Sequence, residues 1–260
     1  MKEKFQHLVA LLLLGSASVV LPLATTAGIA EASTPNCAAA PAPGVYWSGC
    51  TILIHLSGRN LTGANLSHAT ITWRDLSHAN LTRANLTGAN LTGSNLFMAN
   101  LSGAILDHAN LTRVLISHAT VTGADMNHAN HDRTRFEQSK VGGIKWTGAN
   151  LTGAIFSEQT DLTGANFSGV TLKSATLANV NLTRANFSHA NLDLAKVMPT
   201  NATNANFVGA TLTHANMQRT KLIHANLNGS NMTGARTTGA DFTGATCPNG
   251  RIHKTSGANC

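Results

Sequence analysis

The sequence predicts an all-β solenoid, in which short extended segments and turns wind the chain into a stack of four-sided coils. Three observations lead to this prediction. Leucine or another apolar residue recurs at every fifth position, as in LSHANLTRANLTGANLTGSNL at Leu76–Leu96. The residue two positions before each apolar centre is small, most often alanine. The contents of 5% aromatic and 11% charged residues are low for a globular enzyme.

The five-residue repeat covers most of the chain. Its centres run unbroken from Leu56 to Phe156, one extra residue enters within Ser157–Asp161, and the centres resume from Leu162 to Phe242. These stretches hold 21 and 17 units, 38 in total, and alanine precedes the centre by two residues in 24 of them. An α-helix would turn successive leucines by about 140° and leave no apolar face. An ordinary strand would require a period of two.

The alternative that fits the repeat is a square coil. The alanine and the leucine of each unit point to the same side of a short extended segment, and the remaining residues turn the chain by roughly a right angle. Four units then close a coil of about 20 residues with apolar side chains inside. At about 4.8 Å for each coil, the repeats predict about nine to ten coils and a rod on the order of 45 Å long.

The units follow the pattern A-N-L-[ST]-[GHR]. With this pattern, the chain resembles the pentapeptide-repeat proteins, which share A-[DN]-L-x-x and form a right-handed quadrilateral β-helix. The resemblance covers about Leu56–Ala245, and it alone implies the right-handed winding. Some cytoplasmic members of the family bind DNA gyrase by imitating duplex DNA. The formal net charge of +7 and the predicted export of this chain disfavour that function.

The first 32 residues are predicted to be a secretory signal peptide. Lys2 and Lys4 precede an apolar run, Leu8–Leu23, and the sequence Ala30–Ala32 has the A-x-A form of a cleavage site. The alternative is a membrane anchor, but the run is short for a bilayer span and contains Pro22. We therefore predict an exported protein, whether secreted, periplasmic or luminal, with no transmembrane segment after cleavage.

Four cysteines flank the repeat β-helix predicted for residues 56–245. One pair lies in an amino-terminal cap, residues 33–55, and the other in a carboxy-terminal cap, residues 246–260. A stiff rod would keep the two ends much farther apart than the Cα separation of about 7 Å that a disulfide tolerates. The predicted bonds are therefore Cys37–Cys50 and Cys247–Cys260, which would close the caps over open β edges. A metal site is the alternative, but the spacing lacks the close cysteine pairs of zinc motifs.

The repeat is least regular between His128 and Gly148, where His131 stands at a centre position. The favoured interpretation is a distorted coil face with His131 turned outward. The alternative is a protruding site that binds an acidic partner through four cationic side chains, Arg133, Arg135, Lys140 and Lys145. The extra residue within Ser157–Asp161 is predicted to bulge outward and restore the stack.

Histidine recurs two residues after a centre in eight units, at His68, His78, His108, His118, His128, His189, His214 and His224. His108 and His128 are predicted to share a column on adjacent coils, about 5 Å apart at the backbone. Two imidazoles could share a transition metal there, with Asp107 as the nearby carboxylate. The favoured interpretation is a solvated corner that accepts glycine, arginine or histidine, with no metal.

The sequence indicates a protein without catalytic residues or a cofactor. It contains no G-x-S-x-G, H-E-x-x-H or phosphate-binding glycine loop, and a coil filled with alanine and leucine offers no pocket. The predicted function is that of an exported structural or protein-interaction scaffold whose protein partner is unknown. The alternative is a binder of anionic polymer or metal through basic or histidine columns. No specific nucleic acid is expected as a partner.

Overall fold

The computed structural model of the chain describes residues 34–157, 160–253 and 260, which belong to one compact unit, Thr34–Cys260. The signal peptide predicted for residues 1–32 lies outside the described residues. Two strands, β1 (Ile155–Phe156) and β2 (Thr176–Leu177), pair in parallel, and isolated parallel bridges form nearly all of the remaining ladder. Within the described residues, no helix is long and apolar enough to cross a membrane.

The parallel bridges define how the chain winds. They join residues 20 apart along most of the chain, as in Asn60↔Asn80 and Asn80↔Asn100. Because the buried centres recur every five residues, one turn of the solenoid takes four units over this length. The bridges that span the inserted residue join positions 21 apart, as in Lys140↔Asp161, and the spacing returns to 20 at Asp161↔Asn181. The one-residue insertion and the restored stack are thereby confirmed, whereas residues 158–159 of the predicted outward bulge lie outside the described residues.

The ladder extends into the predicted amino-terminal cap. Tyr46 and Thr51 form parallel bridges to residues 19 positions later, Asn65 and Thr70. The neighbouring side chains Trp47 and Ile52 are buried like the centres of later units. The five-residue period does not reveal these two units, because the next centre, Leu56, follows Ile52 by four positions instead of five.

Each position of the repeat has a role in satisfying the backbone, as the unit Asn80–Ala84 illustrates. Three of its five N–H groups donate to carbonyl oxygens of adjacent coils at 2.7, 2.9 and 3.0 Å. The Ala84 N–H donates to the Leu81 carbonyl at 3.0 Å and closes a β-turn. The Thr82 N–H donates to Asn80 Oδ1 at 3.1 Å. All five donors are therefore paired, and the asparagine of the motif supplies the acceptor that the backbone lacks.

Centre and small residues fill the interior of the solenoid. Nearly all centres from Leu56 to Phe242 are buried, and so are the alanines two positions before them. At most positions where serine or threonine replaces the alanine, its hydroxyl donates to a carbonyl of the preceding coil, whereas the buried Ser230 hydroxyl has no hydrogen-bond partner among the described residues. Thr134 donates to the Leu111 carbonyl at 2.6 Å, and Ser139 donates to the Ile116 carbonyl at 2.7 Å. At most of these positions, therefore, the polar residue brings its own hydrogen bond.

Aromatic centres form two stacks along the inside. Phe136 and Phe156 stack with ring centroids 4.8 Å apart. Phe167, Phe187 and Phe207 follow one another at 5.0 Å steps in a second column, below Trp146. Parallel stacking follows from the coil spacing, since identical side chains in one column lie one coil apart.

The prediction that His131 turns outward is wrong. Its side chain is fully buried, and its ring lies 5.6 Å from the ring of Phe136 and 5.2 Å from that of Trp146. The backbone explains this orientation, because the His131 N–H bonds to the Asn150 carbonyl at 2.7 Å as at any other centre. Keeping this ladder directs the side chain of the centre inward, whatever its polarity.

One seam between adjacent coils is open. The bridge expected between Lys145 and Asn166 is missing from the described residues, although both residues bridge to the coils on their other sides. A cleft of about 170 Å³ lies at this seam, between the segments 141–146 and 161–166. It adjoins Trp146, which in turn contacts His131. The insertion and the buried histidine therefore fall in the same weakened part of the rod.

Both predicted disulfides are present. Cys37–Cys50 and Cys247–Cys260 have Cα separations of 5.5 and 5.2 Å, within the usual range for a disulfide. Beyond the last coil, Thr246 forms an antiparallel bridge to Ile252. Each end of the stack thus carries a cross-linked segment, and the amino-terminal segment includes the unit at Trp47.

Candidate functional site

Functional groups of this solenoid lie on the outer corners, because the interior is filled. Among the described repeats, the residue two positions after a centre has positive φ, between 53° and 73°, as at His108 (57°) and Gly148 (66°), with the exception of Pro199. This left-handed conformation is required at the third residue of the β-turn that ends each unit. Glycine adopts it without strain, whereas histidine and arginine adopt it at some cost in conformational energy.

Large corner side chains lie over the next coil. A Cβ added to Gly88 would lie 2.6 Å from His68 Nδ1, and one added to Gly148 would lie 2.7 Å from His128 Cδ2. Gly209, Gly234 and Gly244 stand in the same relation to histidines one coil earlier. A glycine at position n+20 therefore makes room for a histidine at position n.

Three potential metal ligands meet at one corner. Asp107, His108 and His128 place one ligand atom each within 4.8 Å of one another. Asp107 Oδ1 lies 3.0 Å from His128 Nδ1 and 3.9 Å from His108 Nε2. The two imidazoles stack with centroids 4.8 Å apart, which agrees with the column predicted from the sequence. The side chains of the two histidines are 66% and 49% exposed, so this cluster faces solvent.

A second histidine column, formed by His78 and His118, has different surroundings. The rings of His78 and His118 lie 6.1 and 5.1 Å from the ring of Phe97, which separates them edge-on. The described residues place no third metal-ligating group beside this pair. Of the two histidine columns, only the one with Asp107 assembles a ligand set.

The four predicted cationic residues do not form a single patch. Arg135, Lys140 and Lys145 each precede a centre in three successive units, so they lie on three different sides of the coil. Three of the four cations have a nearby carboxylate: Arg133 lies 4.0 Å from Asp132, Arg135 lies 2.7 Å from Glu137, and Lys145 lies 3.3 Å from Asp125. Binding of an acidic partner by these residues stays a prediction. Their positions in different units would not place all four cationic side chains against one acidic group.

Glu137 is the most buried carboxylate of these pairs. Burial alone would raise its pKa, but hydrogen bonds from Arg135 and Ser117, together with the charge of Arg135, lower the pKa below its usual value. The Arg135 Nε donates to Glu137 Oε1 at 2.9 Å, and the Ser117 hydroxyl donates to Oε2. Glu137 is therefore an ionised anchor that fixes the position of Arg135.

A shallow groove of about 300 Å³ lies beside this pair. It is lined by Phe97, Leu115, Ser117, His118, Arg135 and Glu137. We call these six residues the apolar groove, and Met98, which is 47% exposed, follows Phe97 in the chain. The sequence analysis did not identify this surface. Its signal is nevertheless present, because phenylalanine and leucine replace the usual threonine or serine and the usual asparagine in adjacent coils.

The interior also contains a titratable group. Neither ring nitrogen of His131 has a hydrogen-bond partner among the described residues. Removal from water lowers the pKa of His131 to about 3, because burial disfavours the charged imidazolium. The ring is therefore neutral at physiological pH and acts as a polar member of an apolar core.

Comparison with known proteins identifies the repeat. A family profile for pentapeptide repeats matches residues 60–97, 75–106, 94–130 and 220–255, and a profile for a pentapeptide repeat region matches residues 157–227. A search of curated proteins returns no significant match.

Several solved structures are similar to this chain. HetL, a pentapeptide repeat protein involved in heterocyst differentiation regulation from the cyanobacterium Nostoc sp. strain PCC 7120, is 28% identical with a TM-score of 0.50, over 81% of this chain and 90% of that chain. A pentapeptide repeat protein from the Arabidopsis thaliana thylakoid lumen is 33% identical with a TM-score of 0.27, over 40% of this chain and 68% of that chain. QnrB1, a plasmid-mediated fluoroquinolone resistance protein, is 15% identical with a TM-score of 0.39, over 75% and 90%.

Proposed function

We propose that this chain, which belongs to the pentapeptide-repeat family of right-handed β-helices, is an exported, non-enzymatic rod that acts as a structural or protein-interaction scaffold. The observation that carries the proposal is the filled interior of the described repeats, where apolar centres and small residues leave no internal site for a substrate. Interactions must then use the outer corners and the ends. The involvement of HetL in a regulatory process is in keeping with a role exercised through surface contacts.

The proposal includes export. Two disulfides support an oxidising compartment, because such bonds rarely persist in a reducing cytosol. The positively charged start and apolar run of residues 1–32 supply the signal. Fractionation of cells that express the full chain tests this part, and recovery of unprocessed, reduced protein in the cytosol would contradict it.

We further infer the finer geometry of the scaffold. The four units of each turn form four sides, and 38 units make about nine to ten coils. Residues 33–55 and 246–260 act as caps, with the amino-terminal cap continuing the ladder at Tyr46 and Thr51. Capped ends leave the long sides as the surfaces for a partner.

The apolar groove is the side surface that we assign to a partner. We propose that a protein segment inserts an apolar side chain against Phe97 and Leu115, with an acidic group directed towards Arg135. Arg135 is 57% exposed even though it pairs with Glu137, so it can still meet a carboxylate. The net charge of +7 favours an acidic partner through long-range attraction. The same charge argues against imitation of an anionic duplex.

Binding of an anionic polymer is the second candidate function, favoured by that net charge. Arg113 and Arg133 lie 20 residues apart, on adjacent coils. Against it, Arg133 and Arg135 have carboxylates nearby, and the cations that precede centres lie on different sides. Polymer binding would weaken steeply with added salt, whereas a partner in the apolar groove would be retained.

The experiment compares the full, disulfide-intact chain with a variant in which Phe97→Thr and Leu115→Asn restore the usual repeat residues. Both changes use residues found at equivalent positions in other units, so the coils are retained. The two proteins capture partners from extracellular or periplasmic extract, and each captured protein is purified and titrated directly. A partner of the groove should bind the variant at least about tenfold more weakly, as expected for loss of a buried apolar anchor.

A matched control carries Ile105→Asn, which removes another exposed apolar side chain, 43% exposed, from a different side of the coil. This control should bind as the unchanged chain does. Equal binding by the groove variant, or capture that salt alone abolishes, would overturn the assignment of the groove.

A further inference from the structure

We propose that Asp107, His108 and His128 form a surface site for one borderline divalent transition-metal ion, such as Zn²⁺ or Cu²⁺. The site spans two adjacent coils and does not depend on the proposed scaffold function. A donor set of two imidazole nitrogens and one carboxylate oxygen suits such ions better than it suits hard cations such as Mg²⁺ or Ca²⁺.

The aspartate-to-histidine separations approach those of a bound ion, and all three ligand atoms lie within 4.8 Å of one another. Bonds of about 2.0–2.2 Å place neighbouring ligand atoms of a tetrahedral ion roughly 3.3 Å apart. Asp107 Oδ1 is 3.0 Å from His128 Nδ1 and 3.9 Å from His108 Nε2. Binding needs the stacked rings to tilt so that their nitrogens converge. Their exposure leaves that rotation free, and water completes the coordination sphere.

The backbone holds the two histidines in register. His108 N–H donates to the Asn127 carbonyl at 3.0 Å, which ties the first corner directly to the coil that carries His128. Both histidines have the same left-handed conformation, with φ of 57° and 54°. The ligands therefore come from a rigid ladder rather than from a loop, which lowers the entropy lost when the ion binds.

The chain contains a natural comparison at another corner. Asp193 Oδ1 lies 3.6 Å from His214 Nδ1, in the same relative positions as Asp107 and His128. Leu194 stands there in place of the second histidine, and Lys173 Nζ lies 3.3 Å from the carboxylate. This corner pairs aspartate with histidine without assembling three ligands, so we expect it not to bind the ion.

The test titrates the untagged, disulfide-intact chain with Zn²⁺ and with Cu²⁺, by calorimetry and by NMR of the histidine side chains. His108→Gly and His128→Gly remove a ligand and keep the turn, because glycine occupies this position in many units. Asp107→Asn removes the charge. One ion per chain is expected, and each variant should weaken binding at least about tenfold.

The matched controls are His189→Gly, which removes a single corner histidine, and Asp193→Asn at the comparison corner. Both should bind the ion as the unchanged chain does, and circular dichroism verifies that each variant is folded. The double change Lys173→Thr with Leu194→His reproduces the residues of the proposed site and should add a second bound ion. Absence of stoichiometric binding, or equal affinity after loss of His108 and His128, would overturn the proposal.

Discussion

Replacing His131 by leucine should stabilise the solenoid and remove most of its sensitivity to mild acid. The folded chain holds this ring neutral with a pKa of about 3, against an ordinary value of 6.5. Between these values, the unfolded chain binds a proton that the folded chain excludes. The contribution of this pKa shift to the free energy of unfolding is therefore fully present above about pH 6.5. It is lost as the pH falls towards 3, by about 1.4 kcal/mol for each pH unit.

The size of the effect follows from this window. Lowering the pH from 7 to 5 should reduce the free energy of unfolding by about 2 kcal/mol, and lowering it to 4 by about 3 kcal/mol. At pH 7 the substitution should also add about 1–3 kcal/mol, because it removes two buried nitrogens without hydrogen-bond partners. Leucine fits the position, since Leu111 and Leu151 occupy it in the coils on either side.

The assay is urea unfolding of the disulfide-intact chain at pH 7, 6 and 5, followed by circular dichroism and by tryptophan fluorescence. This range lies above the ordinary pKa values of the carboxyls whose pKa is lowered on folding, such as Glu137 at 4.5 and Asp75 at 3.8. The His131 change therefore accounts for most of the slope in this range. His189→Gly is the control and should keep the full loss. Parallel pH profiles for the unchanged chain and His131→Leu would refute the reasoning.

Three further predictions concern the turns, the small interior positions and the caps. Gly148→Ala should lower the free energy of unfolding by about 1–2 kcal/mol more than Gly123→Ala in urea titrations, because both have positive φ but only the first meets a histidine ring, at 2.7 Å; equal losses would exclude this contact as the cause. Thr134→Val should cost about 0.5–1.5 kcal/mol in the same assay, since it removes the 2.6 Å hydrogen bond to the Leu111 carbonyl, which keeps its 3.1 Å bond from the Val114 N–H, and an unchanged midpoint would contradict this. Removing the Cys247–Cys260 bond by a double serine substitution should cost up to about 3 kcal/mol, as estimated for a loop of about 13 residues, and thermal melting that is unaffected would show that the cap does not protect the last coils.

Most of the fold could be predicted because one constraint repeats along the chain. The spacing of Leu61, Leu66 and Ile71 determines which side chains are buried. Where asparagine precedes the centre, as at Asn65, it pairs a backbone donor that would otherwise be unsatisfied. The first two units, at Trp47 and Ile52, escaped this reasoning. Their register differs by one residue, and a periodic pattern carries no information about where a shifted unit resumes.

His131 shows where residue chemistry misleads. A polar ring at a centre suggests an outward orientation, since burial without hydrogen bonds costs free energy. The orientation is instead determined by the backbone hydrogen bonds of the whole coil, which a single outward turn would break. The cost of burying His131 is local. It appears as the lowered pKa of the ring, and it falls beside the open seam at Lys145 and Asn166.

The surface could be predicted where it depends on the coil period and not where it depends on departures from the motif. A corner residue at position n lies over position n+20, so an aspartate one residue after a centre meets a histidine 21 positions later. The sequence places Asp107 before His128 and Asp193 before His214 with this spacing, and both pairs are within 3.6 Å. The same spacing does not predict the contacts of Phe97. Threonine normally occupies that position, and the period does not indicate what an aromatic ring there will contact. In this chain, therefore, the period locates a candidate site, and the residues that break the motif determine which side chains meet there.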